Sequence, residues 1–180
     1  MIVCRIAVLL LSALLASACS SIADPFERAA TLASGEAFLT TNTPIYDVRV
    51  EGPLHAVDFE LTYRNPLNVA VAVPACHTPA RPMLQKLVHG EWVYAFSPVE
   101  LRCITAPLVI PARGTHQFRY QLRADAYDLK RWPESADGTL DGTYRLHWWV
   151  GLHDRQADNG VGTPLPEAYV VSNTFQLRMP

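Results

Sequence analysis

Val57-Asp58-Phe59-Glu60-Leu61-Thr62-Tyr63 is the stretch whose reading decides the fold class. Successive side chains of an extended chain point to opposite sides, so Val57, Phe59, Leu61 and Tyr63 share one face, and Asp58, Glu60 and Thr62 share the other. A helix would scatter these residues around its circumference. The spacing therefore predicts a strand with one buried and one wet face. Working outward, Ile45 to Val50 alternates before a turn at Glu51-Gly52-Pro53. Asn65-Pro66 breaks the central strand, and Val69 to Val73 resumes before Pro74. Leu84–Val88 and Trp92–Phe96 flank His89-Gly90, which suits a tight hairpin. Leu108–Ile110 and His116–Leu122 are joined by Pro111-Ala112-Arg113-Gly114, and Tyr144–Val150 and Tyr169–Leu177 close the series. Eight or nine strands are expected, with no strong amphipathic helix. The crossover helices that a parallel sheet needs are missing from the pattern. The expected architecture is an all-β, antiparallel β-sandwich over residues 36–180.

Two longer connections interrupt the strands. Ala124–Asp141 contains Tyr127, Trp132-Pro133 and the turns Asp137-Gly138 and Asp141-Gly142; Leu152–Glu167 contains Asn159-Gly160, Gly162, Pro164 and Pro166. Loops of this length are usually functional or disordered.

The first residues fix an address. Arg5 supplies a positive start, Ile6–Leu15 is an apolar run relieved only by Ser12, and Ala16-Ser17-Ala18 leads into Cys19. About ten apolar residues are too few to cross a hydrocarbon core of roughly 30 Å as a helix. The order of charge, apolar run and small residues reads as a secretory signal over residues 1–18. With Cys directly after the small residues, the segment resembles a bacterial lipoprotein signal, which implies cleavage before Cys19 and lipid on that residue. The Leu that the family carries three residues before the Cys is here Ala16. Ala-x-Ala is also an ordinary signal-peptidase site, so soluble periplasmic or secreted protein is the alternative. Ser20, in place of Asp, implies outer-membrane sorting by the same resemblance. Residues 19–35 read as a tether, with Asp24-Pro25-Phe26-Glu27 starting a short helix that Gly35 can stop.

Removal of 18 residues from a chain of 180 leaves length enough for one domain with a core. The remaining charge is slightly negative and no basic block exists, which argues against a nucleic-acid partner. Cys4 leaves with the signal, so Cys76 and Cys103 form an even pair in an oxidising compartment and are expected to be disulfide-bonded. A loop of about 27 residues would stabilise the fold by roughly 3–4 kcal/mol on the chain-entropy view. The alternative, a reactive Cys76 beside His77, gains nothing from adjacency, because neighbours in a strand face opposite ways.

Asp141-Gly142-Thr143-Tyr144-Arg145-Leu146 carries a second resemblance. A turn, a Tyr whose hydroxyl bonds back to the preceding corner, and an inward residue two places on are the marks of an immunoglobulin strand F. That inward position is Leu146 rather than Cys, so the inter-sheet disulfide of antibody domains is absent there. Together with strand 57–64 and Val171–Leu177, the segment resembles immunoglobulin-like domains of bacterial envelope lipoproteins, over about residues 45–178. The resemblance implies a fold and a location, and no reaction.

Candidate sites cluster near that strand. If Tyr144 points inward, Arg145, His147 and Trp149 point outward and could form an aromatic face. The segment 124–141, with Tyr127 and Trp132, is expected to cover it. His147, His153, Asp154 and Asp158 are the densest set of metal-ligand types, yet they lack HxH or HxxxH spacing, so no metal and no cofactor are expected. No G-x-S-x-G elbow and no phosphate-cradling Gly motif occurs. Asn65-Pro66, Arg131-Trp132 and Gly160-Val161-Gly162 resemble the loop motifs of chagasin-type inhibitors of cysteine proteases, in altered order. The expectation is a non-catalytic envelope lipoprotein, a binding or structural module for an envelope protein partner, touching membrane only through its lipid. Trp132, His147, Trp149 and His153 mark the candidate binding surface. A loop-borne protease inhibitor is the alternative.

Overall fold

The computed structural model describes residues 37–76, 78–96, 105–125 and 139–179. The signal, Cys19, the tether helix, Cys103, the Cys76 side chain and Trp132 lie outside the described residues, and so does the Cys76–Cys103 pairing. In chain order the strands are β1 (Leu39–Thr41), β2 (Ile45–Asp47), β3 (Arg49–Glu51), β4 (Leu54–Arg64), β5 (Val71–Val73), β6 (Ala75–Cys76), β7 (Thr78–Pro79), β8 (Met83–Val88), β9 (Glu91–Phe96), β10 (Leu108–Ile110), β11 (Thr115–Asp125), β12 (Gly142–His147), β13 (Gly151–His153), β14 (Val161–Pro164) and β15 (Phe175–Arg178). A 3-10 turn, Glu167–Tyr169, precedes the last strand. Among the described residues no helix is long and apolar enough to cross a membrane.

The alternating stretch 57–63 is the middle of β4, and its periodicity is matched by burial. Val57, Phe59, Leu61 and Tyr63 are buried while Asp58 and Glu60 are exposed. Full burial of each such apolar side chain contributes about 1.5–3 kcal/mol. β4 pairs antiparallel with β11 along eleven residues, from Arg64↔Thr115 to Leu54↔Asp125, and β1 and β3 add to its other edge. On the wet face, Arg49 meets Asp58 at 2.7 Å and Arg119 meets Glu60 at 2.8 Å. These exposed pairs contribute little each.

A second sheet runs β2–β15–β12–β8–β9, and a third runs β10–β5–β13–β14. Aromatic rings join the first sheet to the second: Phe59 lies 4.7 Å from Tyr46 and 5.4 Å from Phe175. Below them Trp148 stacks on Phe118 at 4.7 Å and meets Tyr63 edge-on at 5.5 Å. Its indole N–H donates to the Ala80 carbonyl, which satisfies the one polar atom of a fully buried ring.

The all-β, mainly antiparallel expectation agrees with this architecture, and four details differ. β2 runs parallel to β15. The stretch expected to be one strand from Tyr144 to Val150 leaves the ladder after His147, although Trp148 and Val150 keep the alternation and stay buried. There the backbone bonds sideways instead, Trp148 N–H donating to Val170 and Leu165 N–H to Val150. The expected loop 152–167 is largely a hairpin of β13 and β14, closed through Gly160 at φ +70°. The expected strand 169–177 is shortened to β15 by the 3-10 turn before it.

Candidate functional site

The outer face of β8, β9 and β12 is set by the same alternation that fills the core. Leu84, Lys86 and Val88 point inward on β8, so Gln85 and Leu87 point outward; β9 sends out Trp92 and Tyr94, and β12 sends out Arg145 and His147. Gln85 is registered with Tyr94 on one side and Arg145 on the other. Trp149 and the 3-10 turn bearing Glu167 complete an open depression of about 480 Å³.

Arg145 is the fixed point of this face. Its Nε donates to Gln85 Oε1 at 2.7 Å, its Nη2 pairs with Glu167, and its guanidinium lies 4.5 Å from the centre of the Trp92 ring. A planar cation held on both hydrogen-bonding edges and one face loses little further freedom when a ligand arrives. His147 stands beside it, with the Tyr94 ring edge-on at 6.3 Å. Burial holds the His147 imidazole below its usual range; Glu167 opposes that shift and Arg145 reinforces it. Its Nδ1 is buried with no hydrogen-bond partner.

The flanking rings are open. Tyr94 is 60% exposed and Trp149 is 54% exposed. The expected cover, segment 124–141, rests on residues 126–138, and Tyr94 of β9 is the described ring edge-on to His147. Residues 126–138, with Trp132, lie outside the described residues.

Of the anticipated surface residues, His147 and Trp149 meet in this groove and His153 does not. His153 sits on β13, where its Nδ1 lies 3.1 Å from the Gly160 carbonyl oxygen. Asp154 accepts the Gln156 N–H at 2.8 Å, so both residues serve the β13–β14 turn. Among the described residues no three His, Cys, Asp or Glu side chains gather as a metal set. Trp92 and Tyr94 were missed as site residues, because the hairpin reading of 84–96 explained their presence. The signal was available: two large aromatics at i and i+2 on a strand whose intervening Val93 is half-buried and paired with the buried Lys86.

Two further residues took structural roles. Asn65, part of the inhibitor-like motif, is buried; its Nδ2 donates to the Val69 and Pro111 carbonyls at 2.9 Å each, and its Oδ1 accepts from Leu67 N–H. Tyr144 Oη donates to the Leu140 carbonyl at 2.6 Å, four residues back, beside the buried Lys86 whose Nζ donates to Thr139.

No protein-family model matches the chain, and no curated protein matches it. Among solved structures it is similar to the alkylpurine DNA glycosylase AlkC of Pseudomonas fluorescens bound to DNA containing an abasic site analogue, at 14% identity and a TM-score of 0.33. The overlap covers 84% of this chain and 34% of that one, so the chain spans about a third of the glycosylase's length. Overlap at that score says nothing about the activity of this chain.

Proposed function

We propose that this protein is a non-catalytic binding module of the bacterial cell envelope, an immunoglobulin-like sandwich that engages a partner through the groove bounded by Tyr94 and Trp149. The observation that carries the reading is the pair of rings themselves, each more than half exposed around a rigidly held Arg145. Tyr, Trp and Arg are the residue types that concentrate binding energy at interfaces, and exposed apolar rings gathered on one face mark contact sites.

The immunoglobulin-like assignment draws support from three features. One sheet carries β1, β3, β4 and β11, and a second carries β2, β15, β12, β8 and β9. The first strand of the second sheet runs parallel to the last. Tyr144 closes a corner by bonding back to Leu140, as the tyrosine corner of that fold does. The envelope location rests on the signal-like segment 1–18 and on Cys19 as the lipid attachment point, with the outer membrane as destination. In this reading the lipid holds the module at the membrane and the protein surface makes no membrane contact of its own. Asn65 is buried rather than presented, which leaves the inhibitor alternative without one of its three loops.

The test is a pulldown from solubilised envelopes, with wild type beside a Tyr94→Ala/Trp149→Ala variant. The reading expects an envelope component retained by wild type and lost from the variant, with both proteins melting at the same temperature. Equal recovery by the two proteins would refute it.

A further inference from the structure

The groove's chemistry narrows the class of ligand. Its two full charges, Arg145 and Glu167, pair with each other, so the floor offers fixed donors and acceptors with no net charge. An anion entering it would meet the Glu167 carboxylate, and a cation would meet the guanidinium. A wholly apolar ligand would cover these polar groups without bonding them, which is costly. A ligand suited to the site is neutral, with hydrogen-bonding edges and flat apolar faces. Pyranose sugars have that combination, since their hydroxyls ring the edge and their axial C–H groups form a face that lies flat on an aromatic ring. Tyr94 and Trp149 both line the depression around this polar floor, and both rings stand more than half exposed. A depression of about 480 Å³ falls within the usual range for ligand sites.

We propose that this groove binds a neutral oligosaccharide, with sugar rings stacked on Tyr94 and Trp149 and hydroxyls bonded to Arg145 and Glu167; the proposal rests on the binding-module reading above. Arg145 is prepared for the task. Gln85, Trp92 and Glu167 already hold its guanidinium, so sugar hydroxyls meet a donor that does not have to be ordered.

The experiment titrates the full chain in detergent with chitotetraose, maltotetraose and cellotetraose, following intrinsic tryptophan fluorescence and calorimetric heat. At least one sugar is expected to give a saturable signal, with a dissociation constant of about 1 mM or tighter. Trp149→Ala should weaken it about tenfold or more, and Trp149→Phe, which keeps a stacking face, should retain most of it. Arg145→Met, which keeps bulk and loses the donors, should also weaken it. Should Arg145→Met fold poorly, Glu167→Ala, which removes the acceptor on the exposed side of the pair, should weaken binding instead. No saturable signal from any of the three sugars overturns the assignment, and so does binding that Trp149→Ala leaves unchanged. If sugars fail while an envelope protein is still captured through Tyr94 and Trp149, the face is a protein-docking surface and only the sugar proposal falls. If both fail, the binding-module reading falls with it.

Discussion

Trp148 and Trp149 are adjacent, and the alternation of the chain sends them to opposite sides. Trp148 is fully buried against Tyr63 and Phe118, whereas Trp149 is 54% exposed at the groove. Trp148→Ala should therefore cost about 3–5 kcal/mol, as truncation of a packed aromatic does. Trp149→Ala should stay within about 0.5 kcal/mol of wild type. Urea melts of the two variants measure both. His147 sets a pH dependence. Burial lowers its affinity for a proton in the native state, and burial does the same to His116. Below about pH 6.5 the unfolded chain takes up protons that the native imidazoles refuse, so stability is full above that pH and declines as pH falls through the lowered native values. Thermal melts from neutral to acid pH should show that decline, and His147→Gln should flatten it. The inward and outward assignments of 144–150 were legible because a strand's period leaves two options and Tyr144 selects one. Trp92 and Tyr94 were not identified as partners of that face. Only the pairing of Gln85 with both Tyr94 and Arg145 brings them there, and register across strands is not written in any single strand.

At the scale of elements, the β8–β9 hairpin holds both residues of its turn at positive φ, His89 at 51° and Gly90 at 88°. Glycine adopts that conformation freely, and Asn tolerates it better than His. His89→Asn should raise stability by a few tenths of a kcal/mol, up to about 1, while Gly90→Val should lower it by more than that. Differential scanning calorimetry of the two variants gives the comparison. This turn was readable because its two residues sit between two alternating runs. The β13–β14 hairpin was not. Its strands are three and four residues long, contain Gly151, Gly162 and Pro164, and pair with a register shift. Composition there matches a loop, and the pairing with β5 through Gly151↔Ala72 and Leu152↔Val71 supplies what local propensity lacks. The close of the chain misled in a similar way. Residues 169–177 have strand-like composition, yet Pro166 precedes a 3-10 turn at Glu167–Tyr169, and that turn is what places Glu167 against Arg145.

At the scale of the whole molecule, the proposed role needs a tether as well as a face. If Cys19 carries lipid, the mature protein should begin at that residue, bear the acyl mass and partition with membranes. Cys19→Ser should appear unprocessed or soluble, and intact-mass spectrometry of the membrane and soluble fractions distinguishes these outcomes. The parallel β2–β15 pair was not anticipated, because an alternating stretch gives no sign of which way its neighbour runs. The core was more legible. Phe59 and Tyr63 came from patterning alone, Tyr144 and Leu146 from the strand-F resemblance together with the strand period, and all four are buried. The central claim is that the Tyr94–Trp149 face is where this protein meets its partner. The most direct measurement is site-specific photo-crosslinking in intact cells, with a photoreactive phenylalanine at position 94 and, as control, at position 109 on β10, where Val109 is 41% exposed. A discrete adduct from position 94 and none from 109 is the predicted result. No adduct from position 94, or the same adducts from both positions, would contradict the account.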